Sequence, residues 1–261
     1  MVVKKKTKRA IEYILIIIFL AIIIFATYKI VIWTKENKKS KEEKEEIQNY
    51  VIVENKEPIT QTLEGTTEEI EQEETTTYKV DFEALKNKNP DTVGWLKVNN
   101  TSIAYPVVRG DSSNFYVNHS FNKTENSAGW IFTDPRDLLD GSDKNIVIYG
   151  HNRRDRSMFG SLSDVFKKEW YSNESNLKIR FITENEDSIY QIFSTYTIDA
   201  AEDYIEIYFD TAEEFDSYIN RCIQRSSRDF GIEVTSSDKI LTLCTCANDN
   251  NYRVIVHAKK I

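Results

Sequence analysis

The chain has 261 residues, a net charge of −8 and three cysteines, Cys222, Cys244 and Cys246. This length suits one globular domain with a non-globular leader. The acidic balance argues against a nucleic-acid partner, because phosphate binding needs a basic face. Three cysteines cannot all pair, so a disulfide framework is excluded and at least one free thiol remains as a candidate for chemistry.

The N-terminal segment is typical of a membrane anchor. Residues 1–9 carry five Lys and Arg, and residues 10–33 are nearly all Ile, Leu, Phe, Ala and Val. About 20 apolar residues span a bilayer, whereas a cleaved signal peptide has an apolar region of about 7–15 residues and a small-residue cleavage site. We therefore predict a cytoplasmic basic tail at 1–9 and an uncleaved transmembrane signal-anchor at 10–33. Basic residues flank both ends of the span, so the extracellular placement of the remaining chain rests on the long soluble domain that follows the anchor.

Residues 34–77 are charged and poor in apolar side chains, with eight Glu between Glu54 and Glu74. Such a composition cannot offset the entropy of ordering. We predict an acidic extracellular stalk here, with room for a short helix near Lys38–Ile47; a docking segment is the alternative. From Tyr78 the composition becomes globular, which predicts a single domain over residues 78–261.

This domain is predicted to be mainly β with helical insertions. Two helices are expected, Asp81–Lys88, which ends before Pro90, and Thr211–Arg225, where Thr211 and Glu214 fit a capping box. Short runs rich in β-branched and aromatic residues predict six strands, at Thr92–Val98, Ile103–Val108, Gly129–Phe132, Asn145–Tyr149, Leu177–Ile182 and Ser188–Tyr196. With a C-terminal hairpin this gives about eight strands, typical of a mostly antiparallel β-barrel.

The C-terminal segment predicts a hairpin that brings a thiol beside a cation. Ile240–Cys246 and Tyr252–Lys259 are rich in aliphatic residues and flank a polar turn of Asn and Asp. Because side chains alternate along a strand, Cys244 and Cys246 share a face, and pairing of the two strands places Arg253 next to Cys246. A neighbouring cation favours the nucleophilic thiolate. A surface ion pair of Arg253, for example with Asp249, is the alternative for the guanidinium.

Three histidines are candidates for the acid/base partner of this thiol. His151 directly follows the predicted strand IVIYG, at a strand end, where sites are commonly assembled. His257 lies opposite the region of Thr242 in the hairpin, away from Cys246, and is predicted to be structural or on the surface. His119 falls in a polar loop and is predicted to be solvated, with a substrate-facing role as the alternative. Cys222 lies on the apolar stripe of the second helix and is predicted to be buried packing.

A metal site is the competing interpretation of the cysteine pair. However, Cys-x-Cys differs from the usual zinc spacing of about two to four intervening residues, and the sequence contains no second cysteine pair. We therefore favour Cys246 as nucleophile, His151 as acid/base and Arg253 as stabiliser of a developing oxyanion.

These residues resemble a known family, the sortases, which are membrane-anchored cysteine transpeptidases of Gram-positive bacteria. Thr242-Leu243-Cys244-Thr245-Cys246 resembles the family's TLxTC signature. Further similarity lies in the motifs DTVGWL from Asp91, AYPVV from Ala104 and Tyr149-Gly150-His151, and in Ser157-Met158-Phe159. The resemblance extends over about residues 80–261, and the inserted helix before the hairpin resembles class B.

The resemblance implies an eight-stranded sortase barrel, a Cys–His–Arg site and no required metal or cofactor. It implies that Cys246 attacks the Thr carbonyl of a C-terminal sorting signal, of the Asn-Pro-x-Thr type, on a secreted protein. His151 then protonates the leaving amine, and an amine of the peptidoglycan precursor or cross-bridge resolves the thioacyl enzyme. Thr245 matches the position beside the nucleophile that shapes the substrate pocket, and Cys244 and Tyr204 are further candidates for substrate contact.

Two features depart from the family pattern. Only six residues separate Cys246 from Arg253, which is short for class B, and Cys244 occupies a position often filled by Ser. Within the family, a pilin-polymerising sortase is the alternative, although no lid motif precedes Asp81. Outside it, the alternatives are a cell-wall cysteine endopeptidase, in which a histidine follows the cysteine, and a binding module whose thiol belongs to the core.

Overall fold

The computed structural model describes residues 2–55, 76–112, 115–200, 202, 205–246 and 251–261. The chain divides into two compact units, Met1–Glu42 and Glu43–Ile261. The first helix, α1, runs from Val2 to Gln48. Of the helices described, only α1 is long and apolar enough to cross a membrane. It is thus a candidate span, and it includes the predicted anchor at residues 10–33.

The stalk at residues 34–77 stays a prediction, but the structure describes ordered elements at both of its ends, and the short helix expected near Lys38–Ile47 is part of α1. Helix α1 continues to Gln48, and Ile47 is buried in the core of the second unit. Strand β1 (Val51–Asn55) then pairs antiparallel with β2 (Thr76–Val80). Lys and Glu are good helix formers, and the apolar residues of β1 supply a strand pattern that the charged surroundings obscure. Residues 56–75 lie outside the described part of the chain.

Eight further strands form a closed barrel, which confirms the predicted mainly β architecture. Their order around the barrel is β10-β8-β7-β3-β4-β5-β6-β9. The pairs are antiparallel except for β4–β5 and β6–β9, which are parallel. The strands are β3 (Thr92–Val98), β4 (Ala104–Val108), β5 (Phe132–Thr133), β6 (Asn145–Gly150), β7 (Lys178–Ile182), β8 (Asp187–Asp199), β9 (Ile240–Cys246) and β10 (Tyr252–Lys260).

The described residues of the second unit include three α-helices, and two of them have a capping side chain at the N-terminus. Helix α2 (Phe82–Lys88) starts after Asp81, whose carboxylate accepts the Ala84 N–H at 2.9 Å. Helix α3 covers Lys168–Tyr171. Helix α4 (Ala212–Arg225) starts after Thr211, which accepts the Glu214 N–H at 3.2 Å. The described residues also include three 3₁₀ helices, Phe115–Val117, Leu162–Phe166 and Glu174–Leu177.

The two faces of β9 and β10 pack against different partners. Leu241, Leu243, Val254 and Val256 belong to the main core. The opposite face is covered by α4, whose apolar stripe of Phe215, Tyr218, Ile219 and Cys222 packs with Phe193 and Ile240. This explains the helical insertion before the hairpin, because a sheet face left bare would expose a large apolar surface.

One predicted strand is displaced. The run Gly129–Phe132 was expected to be extended, but the strand there comprises only Phe132 and Thr133. Gly129 has φ +59°, a left-handed conformation that ends any extended run. The next residue, Trp130, donates its N–H to the Tyr116 carbonyl at 2.9 Å instead of to a neighbouring strand.

Candidate active site

Three neighbouring strands bring the predicted site residues to one level of the sheet. Strand β9 lies between β6 and β10. Cys246 pairs with Arg253 in the antiparallel hairpin, and Gly150 pairs with Thr245 in the parallel pair. His151 is the residue after Gly150, so it continues the register towards the level of Cys246. Because paired strands lie about 4.8 Å apart, the His151, Cys246 and Arg253 positions are adjacent across three strand ends.

The register also shows which face of the sheet the site residues share. It is the outer face, which α4 covers near the other end of β9. Cys244 pairs with Tyr149 and Ile255, and it packs with Tyr196, Ile198 and Ile255 outside the main core. Successive side chains of a strand point to opposite faces, so residues two apart share a face. The position of Cys246 therefore falls on the face of Cys244. Arg253, which is partly buried, pairs with Ile198 on its other side.

His151 is held by a backbone carbonyl. Its Nε2 lies 2.6 Å from the Val117 carbonyl oxygen, and the side chain is half-buried. A carbonyl only accepts hydrogen bonds, so Nε2 carries the proton in this contact. Nδ1 is therefore the ring nitrogen available for proton transfer. The contact is compatible with both the neutral and the cationic imidazole, which an acid/base residue requires.

Two glycines let the backbone approach His151 closely. A Cβ on Gly129 would lie 2.6 Å from the Val117 carbonyl oxygen and 2.9 Å from His151 Cδ2. A Cβ on Gly150 would lie 2.5 Å from Ile131 Cδ1 and 2.8 Å from Phe159 Cγ. All four distances are far inside normal contact. The Val117–His151 contact therefore depends on bare backbone at Gly129, and the packing next to His151 depends on it at Gly150. We did not predict from the sequence that Val117 and Gly129 support His151. The one sequence signal for it is a glycine between small and aromatic residues, in Ser127–Trp130, which indicates a close approach of the backbone.

The three residues predicted to contact substrate do not lie together on one described surface. Cys244 is only 3% exposed and is packed among apolar side chains. Thr245 is buried and pairs with Val254 of the core-facing set, so its side chain lies on the opposite face from Cys244. Tyr204 and Asp249 lie outside the described residues. Substrate contact by Thr245, Cys244 and Tyr204 therefore stays a prediction, as does the ion pair of Arg253 with Asp249.

The structure confirms that His257 is structural. It pairs with Thr242, it is fully buried, and both ring nitrogens meet hydroxyl groups, Nδ1 at 2.8 Å from Thr242 Oγ1 and Nε2 at 2.9 Å from the Tyr196 hydroxyl. Thr242 Oγ1 donates to Asn145 Oδ1 at 2.7 Å, so towards His257 it accepts. Burial, with a smaller contribution from Arg225, lowers the pKa of His257 to about 3.

The structure also places the other two candidates, Cys222 and His119. Cys222 is buried under α4, as predicted, and burial raises the pKa of its thiol to about 12, so it stays protonated. His119 is half-buried and stacks on Phe115 with ring centroids 4.1 Å apart. Among the described side chains, no group of three His, Cys, Asp or Glu is arranged to hold a metal ion.

Comparison with known proteins agrees with this arrangement. The sequence model of the Sortase domain matches residues 96–261. Sortase B of Staphylococcus aureus is 32% identical over 183 residues, which cover 69% of this chain and 74% of that protein. The X-ray structure of Clostridium perfringens sortase B is 37% identical, with a TM-score of 0.65, and the match covers 69% of this chain and 99% of that one. A Staphylococcus aureus sortase B–substrate complex matches with a TM-score of 0.65 at 32% identity, over 69% of this chain and 84% of that one.

The closed barrel, with its cysteine and histidine positions at adjacent strand ends, is that of a cysteine transpeptidase, and the chain belongs to the sortase family. The relatives and solved structures named above are all sortase B proteins. Within the family, this protein is a class B sortase.

Proposed function

We propose that this sortase cleaves a C-terminal sorting signal of the Asn-Pro-x-Thr type and transfers the Thr carbonyl to a peptidoglycan amine. The observation that carries the proposal is the strand register, which puts the backbone positions of His151, Cys246 and Arg253 side by side. A sorting signal as partner is further supported by the substrate complex of the Staphylococcus aureus relative.

Each of the three residues has one task in the proposed reaction. The Cys246 thiolate attacks the Thr carbonyl carbon, and the Arg253 guanidinium stabilises the oxyanion that forms, since it stays protonated. The C–N bond to the next residue then breaks, and His151 gives its proton to the leaving amine through Nδ1. A thioester between Cys246 and the Thr carbonyl remains.

The acceptor amine completes the cycle. It attacks the thioester carbonyl, loses a proton to His151, and displaces the Cys246 thiolate as the new amide bond forms. Because the acceptor is proposed to be an amine of the peptidoglycan precursor or cross-bridge, the domain must lie outside the cytoplasmic membrane. We place residues 10–33 in the membrane and the second unit on the extracellular side, in keeping with the apolar helix α1.

The test looks for the thioester itself. The full chain in detergent is incubated with an Asn-Pro-x-Thr peptide and a small amine, and intact-protein mass spectrometry is read before and after amine addition. We expect an acyl adduct on Cys246 that disappears when the amine is added, together with an amide product. The Cys246→Ala variant should give neither species.

Cys244→Ala tests which of the two thiols is acylated, because it removes the neighbouring thiol and leaves the nucleophile. We expect the adduct on Cys246 to form in this variant as well, at a rate that also reports any substrate contact of Cys244. An adduct that survives in Cys246→Ala and vanishes in Cys244→Ala would overturn the assignment. Hydrolysed peptide without any amide product would favour the endopeptidase, and transfer only to a protein Lys side chain would favour the pilin polymerase.

A further inference from the structure

The last turns of α1, Glu43–Gln48, directly contact one of the two chain segments that hold His151 and reach the other through Ser102 and Tyr105. The first is the 115–128 segment, which supplies the Val117 carbonyl. The second is the 151–161 segment, which follows His151 and returns to it, because the Phe159 N–H donates to the His151 carbonyl at 3.0 Å. Apart from one short 3₁₀ helix, both segments are loops, so contacts from outside must fix their shape.

Glu43 fixes the 115–128 segment. Its Oε1 accepts the Asn122 N–H at 2.6 Å and the Ser120 hydroxyl at 3.1 Å. Glu43 is only 4% exposed, and a buried carboxylate is costly unless it is hydrogen-bonded. The tight turn it holds is closed by the Ser120 N–H donating to the Thr124 carbonyl at 2.9 Å. This turn lies three residues beyond Val117, the partner of His151.

Lys44 supports the 151–161 segment through the start of β4. Its Nζ donates to the Ser102 carbonyl at 2.7 Å and lies 4.1 Å from the centroid of the Tyr105 ring. The Ser102 hydroxyl donates to the Arg156 carbonyl at 2.6 Å, and the Tyr105 hydroxyl accepts the Met158 N–H at 3.0 Å.

The two residues held in this way have unusual backbone conformations. Arg156 has φ +64° and Met158 has φ +49°, a region that residues other than glycine seldom adopt. The segment therefore keeps its shape only because the neighbouring contacts impose it.

We infer that Glu43 and Lys44 are positioning residues for His151: they fix, from the end of α1, the two loops that set the direction of its imidazole. The inference rests on the proposed role of His151 as acid/base. It assigns a part in catalysis to a stretch of α1 that precedes the barrel in the sequence. The same stretch also docks on the core through Ile47, so its contribution to stability has to be separated from its contribution to catalysis.

The experiment compares single variants of the full chain. Glu43→Ala removes the acceptor of Ser120 and Asn122, and Glu43→Gln retains an acceptor oxygen. Glu46→Ala is the matched control, since Glu46 lies on the same helix, is exposed, and pairs with Lys88 rather than with Ser120 or Asn122. Transfer rates are measured across pH together with the melting temperature, and the His151 imidazole is followed by ¹⁵N NMR.

We expect Glu43→Ala to lower kcat by about 10- to 100-fold, because small misplacements of a catalytic group cost that much. We also expect it to change the pH profile of kcat/KM and the His151 ring signals. Glu43→Gln should be close to the parent protein in all three measurements, and so should Glu46→Ala. Loss of stability alone would lower the melting temperature without moving the pH profile or the ring signals.

Two outcomes overturn the inference, and a third separates it from the proposed function. If Glu43→Ala keeps the parent pH profile and ring signals, Glu43 does not position His151. Should Glu43→Ala fail to fold, Ser120→Ala and Lys44→Met carry the test, and parent-like behaviour of both has the same consequence. His151→Ala is run alongside: if it retains full transfer, the proposed role of His151 has failed, whatever Glu43 does.

Discussion

His151 and His257 lie at different levels of the same region of the sheet, and their surroundings give them opposite properties. His257 is enclosed by Thr242, Tyr196 and the rings of Phe193 and Tyr218. Thr242 accepts from Nδ1, and burial keeps the ring neutral, so the unprotonated Nε2 accepts from the Tyr196 hydroxyl. His151 is half-buried at a strand end and donates to a carbonyl, which suits either charge state.

This difference shows what makes a histidine available for chemistry in this barrel. Burial in a closed hydrogen-bond network removes the charged form, and that holds His257 neutral as a structural member of the sheet. His151, at a strand end, is half-buried and has one ring nitrogen held by the Val117 carbonyl. Three further experiments test this difference between the two histidines.

The largest effect is expected from removing each imidazole in turn. His151→Ala should lower the transfer rate by about 100- to 10,000-fold, the usual contribution of a general acid/base. His257→Gln should retain most of the rate when assayed well below its melting temperature, because Gln offers both a donor and an acceptor. Steady-state kinetics on the full chain measures both. Equal losses in the two variants would remove the distinction between the two histidines.

A smaller loss is expected when the carbonyl partner of His151 is displaced. Gly129→Ala puts a Cβ against the Val117 oxygen and His151 Cδ2, and we expect kcat to fall by about 10- to 100-fold.

Gly231→Ala is the matched control for this substitution. Gly231 also has positive φ, at +67°, but no atom lies within 4 Å of the added Cβ. It should therefore carry the backbone strain without the loss of kcat. If the two glycine variants lose kcat equally, close approach of Val117 to His151 is not what Gly129 provides.

The smallest effect on activity is expected from the titration of His257, which acts on the free energy of unfolding and not on the reaction. Because the pKa of His257 is lowered to about 3 in the folded protein, the unfolded chain takes up the proton at higher pH than the folded one. The contribution of neutral His257 to the free energy of unfolding is complete above about pH 6.5. It falls as the pH drops towards 3, by on the order of 4 kcal/mol.

Urea unfolding of the parent protein and of His257→Gln, from pH 7 down to pH 3.5, measures this contribution as a difference. We expect the parent to lose more stability than the variant over that range. Parallel curves would mean that His257 is not held neutral in the folded state.

Much of the barrel follows from local patterns. The strand at Thr92–Val98 has the predicted bounds, and the second predicted helix starts at the Thr211 cap. The misplaced features have identifiable causes. Glycine at positive φ interrupts an otherwise strand-like run at Gly129, and the apolar residues around Ile47 and β1 are too few to reveal, against the surrounding charge, that this stretch packs on the barrel.

The hairpin follows from the sequence alone, because alternating apolar residues and a short polar turn fix which residues of two adjacent strands face each other. The pairing of Cys246 with Arg253 is of this kind. The parallel pairing of β6 with β9 is visible only in the folded structure, since parallel strands are joined by long connections that leave no local signal. That pairing brings His151 to the level of Cys246. The Val117 carbonyl and the Glu43 contacts likewise depend on backbone groups far apart in the chain, which side-chain patterns do not encode.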